Sequence, residues 1–312
     1  MYSSRSIAVC ALVLLVYATG AKAALVLESN FNGMSGSQVT GITGGTASLY
    51  SSSGTPTIIE STPTLGQDGY LRVSCPAGQK AGVNITPTDA SHSIASWYTA
   101  GDGVSTQSKF NGGLDFFFRA AESSLNQKRI FDIQNTGGYR IVMQSASSSE
   151  LYFEMIGQTG AFSGMTKLKG SGTANTAGSL SSFNITSGNT GNFLMAANEI
   201  YHIAVHLETD DSGLVHLKLL AAPGTGALDP TDNSQILTHA TFQINEATAT
   251  TGFKSGVFTY GIVGTVSTNA RTQDFDAFRI YDSGPTLFGA VPEPTVMLLL
   301  GSGLVAIIRR RG

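Results

Sequence analysis

Through the interior of this chain apolar and polar positions alternate with a period of two, and no long stretch carries the 3.6-residue spacing of a helix. Gly113–Ala120 places Leu114, Phe116 and Phe118 on one side and reads as a strand. Arg129–Gln134, Tyr139–Gln144 and Glu150–Ile156 follow as a meander, with Asn135-Thr-Gly-Gly138 turning the first into the second. Glu199–Glu208 and Leu214–Leu220 flank Asp210-Asp211-Ser212-Gly213 as a further hairpin, and Val257–Val266 and Gln273–Tyr281 close the set. Many short strands separated by turn signals predict an all-β, antiparallel β-sandwich of the jelly-roll kind. Residues 170–191, rich in Gly, Ser, Thr and Asn, read as a surface insertion in the same domain.

The two ends break the pattern. Arg5 precedes an apolar run, Ile7–Tyr17, which closes at Ala21-Lys22-Ala23. The run is too short to span a membrane comfortably, and Ala21 and Ala23 form a small-residue cleavage site, so residues 1–23 read as a signal peptide. Removing it leaves Cys75 as the one cysteine, so the body 24–290 has no intrachain disulfide. At the other end Pro292, Glu293 and Pro294 precede 14 residues, Thr295–Ile308, and then Arg309, Arg310 and Arg311. As a helix those residues reach about 21 Å, short of the ~30 Å hydrocarbon core, and the arginines hold that end on the cytoplasmic side. The result is a transient span, suited to an inner-membrane sorting intermediate.

This order of Pro-Glu-Pro, short transmembrane helix and arginine cluster over 291–312 resembles the PEP-CTERM sorting signal. The resemblance implies a Gram-negative-type bacterium, export by signal peptidase, and an exosortase that releases the body to the cell surface or extracellular matrix. A second resemblance lies in the middle. Leu114-Asp-Phe-Phe-Phe-Arg119, Ile130-Phe-Asp-Ile133, Asn198-Glu-Ile-Tyr-His-Ile-Ala-Val205 and Asp274-Phe-Asp-Ala-Phe-Arg-Ile-Tyr281 look like the LamG and concanavalin A-like lectin–glucanase jelly roll. That fold serves binding modules, glycoside hydrolases and structural proteins alike.

Charge narrows the classes. Lys+Arg number 18 against 21 Asp+Glu, and leaving out both ends the body carries about −7, with no basic footprint for nucleic acid. Glu150-Leu-Tyr-Phe-Glu154 matches the spacing of the laminarinase Glu-x-Asp-x-Glu strand, but Tyr152 stands where the central Asp belongs. Glu150 and Glu154 also lie ~13 Å apart along a strand, whereas retaining chemistry needs carboxyl groups about 5–5.5 Å apart. His202 and His206 are similarly ~13 Å apart on a strand, too far to share a metal. Asp274 and Asp276 share a strand face and are the candidates for calcium, the one cofactor left open. Asp210, Asp211, Asp229 and Asp232 read as solvated turn acids. Trp97, Tyr98, Tyr139 and Tyr152 are the aromatic candidates for a polysaccharide platform. The expectation is an exported, non-enzymatic carbohydrate-binding or adhesion module, with a laminarinase-type hydrolase or a purely structural matrix protein as the alternatives.

Overall fold

The computed structural model describes residues 25–29, 45–50, 55–60, 69–75, 82–87, 97–99, 109–120, 130–135, 139–146, 150–157, 164–168, 172–174, 180–187, 195–244, 256–260, 271–285 and 287–289. Residues 1–23, read from the sequence as a signal peptide, and the C-terminal tail, including the helices expected there, lie outside the described residues. Among the described residues no helix is long and apolar enough to cross a membrane.

With strands numbered along the chain, one sheet has eleven strands. Its order is β12 (Gly172–Ala174), β13 (Leu180–Ser187), β16 (Ile236–Ile244), β15 (Val215–Pro223), β14 (Tyr201–Thr209), β7 (Lys109–Ala120), β18 (Arg271–Tyr281), β4 (Gly69–Cys75) and β3 (Thr55–Glu60). β1 (Leu25–Ser29) also pairs with β18, and β6 (Tyr98–Thr99) with β7. The second sheet has seven strands, ordered β11 (Gly164–Leu168), β10 (Glu150–Gly157), β9 (Tyr139–Ala146), β8 (Phe131–Asn135), β17 (Gly256–Tyr260), β5 (Gly82–Pro87) and β2 (Gly45–Tyr50). Every pairing is antiparallel, so the architecture is the expected β-sandwich. The meander β8–β9–β10 forms as its turns predict.

One expectation is corrected. The Gly/Ser-rich stretch 170–191 is not an insertion but contributes β12 and β13, which extend the larger sheet beyond β16. Such a composition hides strands because it lacks the apolar alternation that a buried strand shows.

Alternation sorts the larger sheet into two faces. Leu114, Phe116 and Phe118 of β7, Ile203, Val205 and Leu207 of β14, Leu217 and Leu219 of β15, and Phe275, Phe278 and Ile280 of β18 are all nearly inaccessible. Phe275 meets Phe118 and Phe116 with ring centroids 5.3 and 6.2 Å apart, and Phe278 meets Phe116 at 6.4 Å. These tilted arrangements are the favoured aromatic geometry. β18 keeps the pattern only by a bulge between Asp276 and Arg279, where Ala277 takes a positive φ of 47°. The bulge shifts the alternation by one, so Asp274 and Asp276 before it and Arg279 and Tyr281 after it all face away from the aromatic layer.

That opposite face is also buried. Leu228 and Phe288, from the segments after β15 and β18, exchange backbone hydrogen bonds of 3.0 and 2.8 Å across it. Both are fully buried with Ala204, Leu220, Ile236 and Tyr281. β7 admits large side chains on both of its faces through two adjacent glycines. A Cβ on Gly112 would overlap the Trp97 ring, and one on Gly113 would lie 2.8 Å from Phe288 and Pro285. Gly112→Ala is therefore expected to lower the unfolding free energy by about 1–3 kcal/mol. Gly226→Ala, where a Cβ meets nothing within 4 Å, stays within about 0.5 kcal/mol. Urea midpoints of the two variants measure the difference.

Candidate functional site on the polar face

The buried polar face carries charged side chains at positions that alternation alone would leave to solvent. At its centre Asp115 is fully buried on β7. It accepts hydrogen bonds from Arg279 Nε (3.0 Å) and Nη2 (2.6 Å), from His202 Nε2 (2.6 Å) and from the Tyr281 hydroxyl (3.3 Å). His202 Nδ1 lies 2.6 Å from the carbonyl of Gly226. Burial, then the charge of Asp115, pushes the Tyr281 phenol well above its ordinary range. The Arg279 guanidinium also sits 5.5 Å from the Phe117 ring centroid, a cation–π contact.

Toward β4 a second carboxylate, Asp274, is fully buried and shared by two arginines. Arg72 donates Nε to Oδ1 (2.8 Å) and Nη2 to Oδ2 (3.0 Å). Arg119 donates Nε (3.0 Å) and Nη2 (2.6 Å) to Oδ2. Both guanidinium carbons lie over Tyr70, 5.5 and 5.6 Å from its centroid. Register explains the cluster: Asp274 stands opposite Arg72 on one side and Arg119 on the other. The hydrogen bond to Asp274 raises the Arg72 pKa, so this end holds two positive charges against one negative. The Arg72 side chain is 33% exposed and that of Arg119 15%, and each keeps its Nη1 donors off the carboxylate.

Several expected site residues fall elsewhere. Asp274 offers calcium no open carboxylate, since guanidinium groups fill both oxygens and repel a cation. Asp276 is buried and accepts the Ala277 amide at 2.7 Å. Among the described residues no group of three or more His, Cys, Asp or Glu is arranged to hold a metal ion. Trp97 is not an exposed platform. It is 1% exposed, packs on Gly112 and donates Nε1 to the carbonyl of Tyr281 at 2.9 Å. Tyr98 lies on β6 opposite Phe110, Tyr139 on β9 opposite Gly157 and Tyr152 on β10 opposite Gln144; their side chains lie outside what is described. The same holds for Glu150 and Glu154, opposite Ala146 and Val142 in the smaller sheet.

His202 and His206 are both packed in the face, as their strand spacing implies. His206 meets Phe288 edge-on at 6.0 Å, and its Nδ1 is buried without a hydrogen-bond partner. Of the acids read as solvated, Asp229 and Asp232 cap turns at Thr231 and Ser234. Sequence reasoning missed Asp115, Arg72, Arg119 and Arg279 as a network. The available signal was a set of charged residues alternating with phenylalanines in 114–119 and 274–279; Arg72, on β4, carried none.

Comparison with known proteins adds the following. Residues 290–311 match the PEP-CTERM protein-sorting motif. The chain is thus an exported protein, sorted by an exosortase through the membrane to the cell surface. No curated protein sequence matches the chain. Among solved structures, the alginate lyase Aly36B in complex with an alginate tetrasaccharide aligns at TM-score 0.46 and 13% identity, over 81% of this chain and 95% of its own. The PL-14 alginate lyase from Aplysia kurodai aligns at 0.49 and 12%, over 83% and 99%. The Emp47p carbohydrate recognition domain aligns at 0.35 and 9%, over 85% and 98%. At such values the likenesses assign no role to any residue here.

Two outcomes follow from the site. Asp115→Ala leaves Arg279 and His202 buried without their carboxylate and is expected to cost about 3–5 kcal/mol of stability, read by chemical denaturation. Burial, then Lys218 and His216, lowers the His206 pKa from 6.5 to about 4. A folded-state value below the unfolded one means the unfolded chain takes up the proton first. The stability this contributes is present above pH 6.5 and is lost as pH falls toward 4. His206→Gln should flatten that part of the stability–pH profile, followed by urea midpoints at half-unit steps.

Proposed function

We propose that the body of this surface protein is a binding module for acidic polysaccharides, acting in adhesion to the surface or matrix and without catalysis. The observation that carries the reading is the Arg72–Asp274–Arg119 cluster. Two guanidinium groups share one buried carboxylate, so a local charge of +1 stands on a body of about −7. Their spare Nη1 donors and partial exposure suit a carboxylate-bearing sugar, which arginine recognises by paired hydrogen bonds. The nearby Tyr70 ring holds both side chains in place by cation–π contact. Signal peptidase and exosortase act on the chain during export, with the tail inserting in the membrane only in transit. Calcium has no part in this reading.

Protein purified from a host exporting the full chain would be tested for retention on polygalacturonate and on an uncharged glucan. Saturable, salt-sensitive retention on the polyuronate alone is expected. Arg72→Gln should weaken it at least tenfold while leaving Asp274 paired with Arg119. Equal retention on both polymers, or retention unchanged in the variant, would overturn the reading. New reducing ends in the same samples would replace it with a polysaccharide-cleaving enzyme.

A further inference from the structure

Beyond the arginines and the Asp115 network, the β15–β16 end of the same face gathers three polar side chains that neither serves. His216 on β15 stands opposite Thr241, and His239 on β16 opposite Lys218, so the two histidines are diagonal neighbours. Their rings meet with Nδ1 of His216 2.8 Å from Nε2 of His239, at an interplanar angle of 31°. On the other side of the ring, His216 Nε2 lies 3.0 Å from Asp210 Oδ2. The second oxygen of Asp210 is tied by the Ser212 amide (2.9 Å), the Ser212 hydroxyl (2.6 Å) and the Leu214 amide (3.0 Å). The hairpin turn after β14 therefore fixes this carboxylate. What reads in the sequence as a solvated turn acid is a support for a histidine.

The proton order follows from the donors available. A carboxylate can only accept, so His216 Nε2 carries hydrogen, and in the neutral ring, the form that takes a metal, Nδ1 presents a lone pair. The hydrogen between the rings then belongs to His239 Nε2. Two ring nitrogens thus face each other across one hydrogen bond, and the first is oriented by a fixed carboxylate, the outer-shell arrangement found behind metal-ligating histidines.

We propose that His216 Nδ1 and His239 Nε2 form a site for a divalent transition metal of the zinc or copper class, with Asp210 as the positioning residue. Imidazole nitrogen suits both ions. Bonds of about 2.0–2.1 Å at a tetrahedral angle set the nitrogens about 3.3 Å apart, so they separate by roughly half an ångström and each ring turns by about 35° off the line between them. The hydrogen on His239 Nε2 passes through solvent to Nδ1 of the same ring, which stays neutral, and two Zn–N or Cu–N bonds replace two bonds to water. The His216 side chain is 26% exposed and that of Asp210 39%, which leaves the remaining coordination positions to water or an oxygen ligand. Two protein ligands make a weaker centre than the three or four of catalytic and structural sites. Lys218, whose ammonium donates to the carbonyl of Pro230 at 2.8 Å, adds a positive charge opposite His239 that opposes the ion.

The test uses the full chain in detergent without a histidine tag. Cu2+ binding is followed by electron paramagnetic resonance and Zn2+ binding by calorimetry. One ion per chain is expected, with the copper spectrum showing coupling to two nitrogens. His239→Ala should weaken binding at least tenfold, and Asp210→Asn, which removes no ligand, by about 10–100-fold. Lys218→Met should tighten it, whereas Asp211→Asn leaves it unchanged. Circular dichroism confirms that each variant is folded, and the exposed position of Asp210 keeps the test available if His239→Ala is not. Absence of a bound ion, or binding as strong in the His239→Ala and Asp210→Asn proteins as in the native chain, would overturn the proposal.

Discussion

A carboxylate buried in the middle of a β-sheet constrains everything near it, and Asp115 is such a group. Removing an ion from water costs several kcal/mol, and the mutual attraction of a buried pair offsets this only when the remaining lone pairs are also satisfied. Here Arg279, His202 and Tyr281 supply four hydrogen bonds from two neighbouring strands. His202 in turn must satisfy its second nitrogen, and it does so at the carbonyl of Gly226. The loop after β15 is thereby brought over the sheet, where Leu228 pairs with Phe288. One buried charge thus determines where two non-strand segments lie, because each polar partner it recruits has a polar atom of its own to place.

The same face changes character outward from that centre. In the middle, Asp115, His202 and Asp276 are fully enclosed. At the β4 side Arg72 and Arg119 reach solvent, and at the β15–β16 side His216 does. Among the described residues of this face, restrained and accessible polar groups therefore occur together at its two ends. Each end is held by a fixed carboxylate, Asp274 or Asp210, and binding geometry is more faithful when the contacting side chain is itself restrained.

Period-two alternation was enough to read the strands and the β-sandwich from sequence, and Leu114, Phe116 and Phe118 point into one layer as it predicts. It could not say what covers the other layer. Asp115 and Arg119 have the pattern of solvent-facing residues, and their burial depends on segments more than a hundred residues away in the chain. Arg72 and Asp274 are 202 positions apart, and no local rule links them. Trp97 had the composition of a sugar platform, yet the adjacent glycines at 112 and 113 were the clue that something large lies against β7. Asp274 and Asp276 do share a face, but calcium chemistry read from spacing missed the two arginines that register places opposite Asp274. The sorting motif was legible because its meaning lies in composition and order, which need no tertiary contacts.

The body and its address meet with little chain between them. Phe288 is fully buried and hydrogen-bonded to Leu228, and the sorting motif begins at residue 290. From Gly289 to Pro292 the chain can extend no more than about 10 Å, whatever its conformation. Pro292, the first residue of the Pro-Glu-Pro motif, is therefore tethered within that reach of the segment that covers the polar face. A processing enzyme approaching the motif meets the folded body at this edge, or meets it after Phe288 has left its site. In the second case the groups under that segment, His206 among them, are uncovered first, and in that case alone the stability of the Leu228–Phe288 contact governs access to the motif.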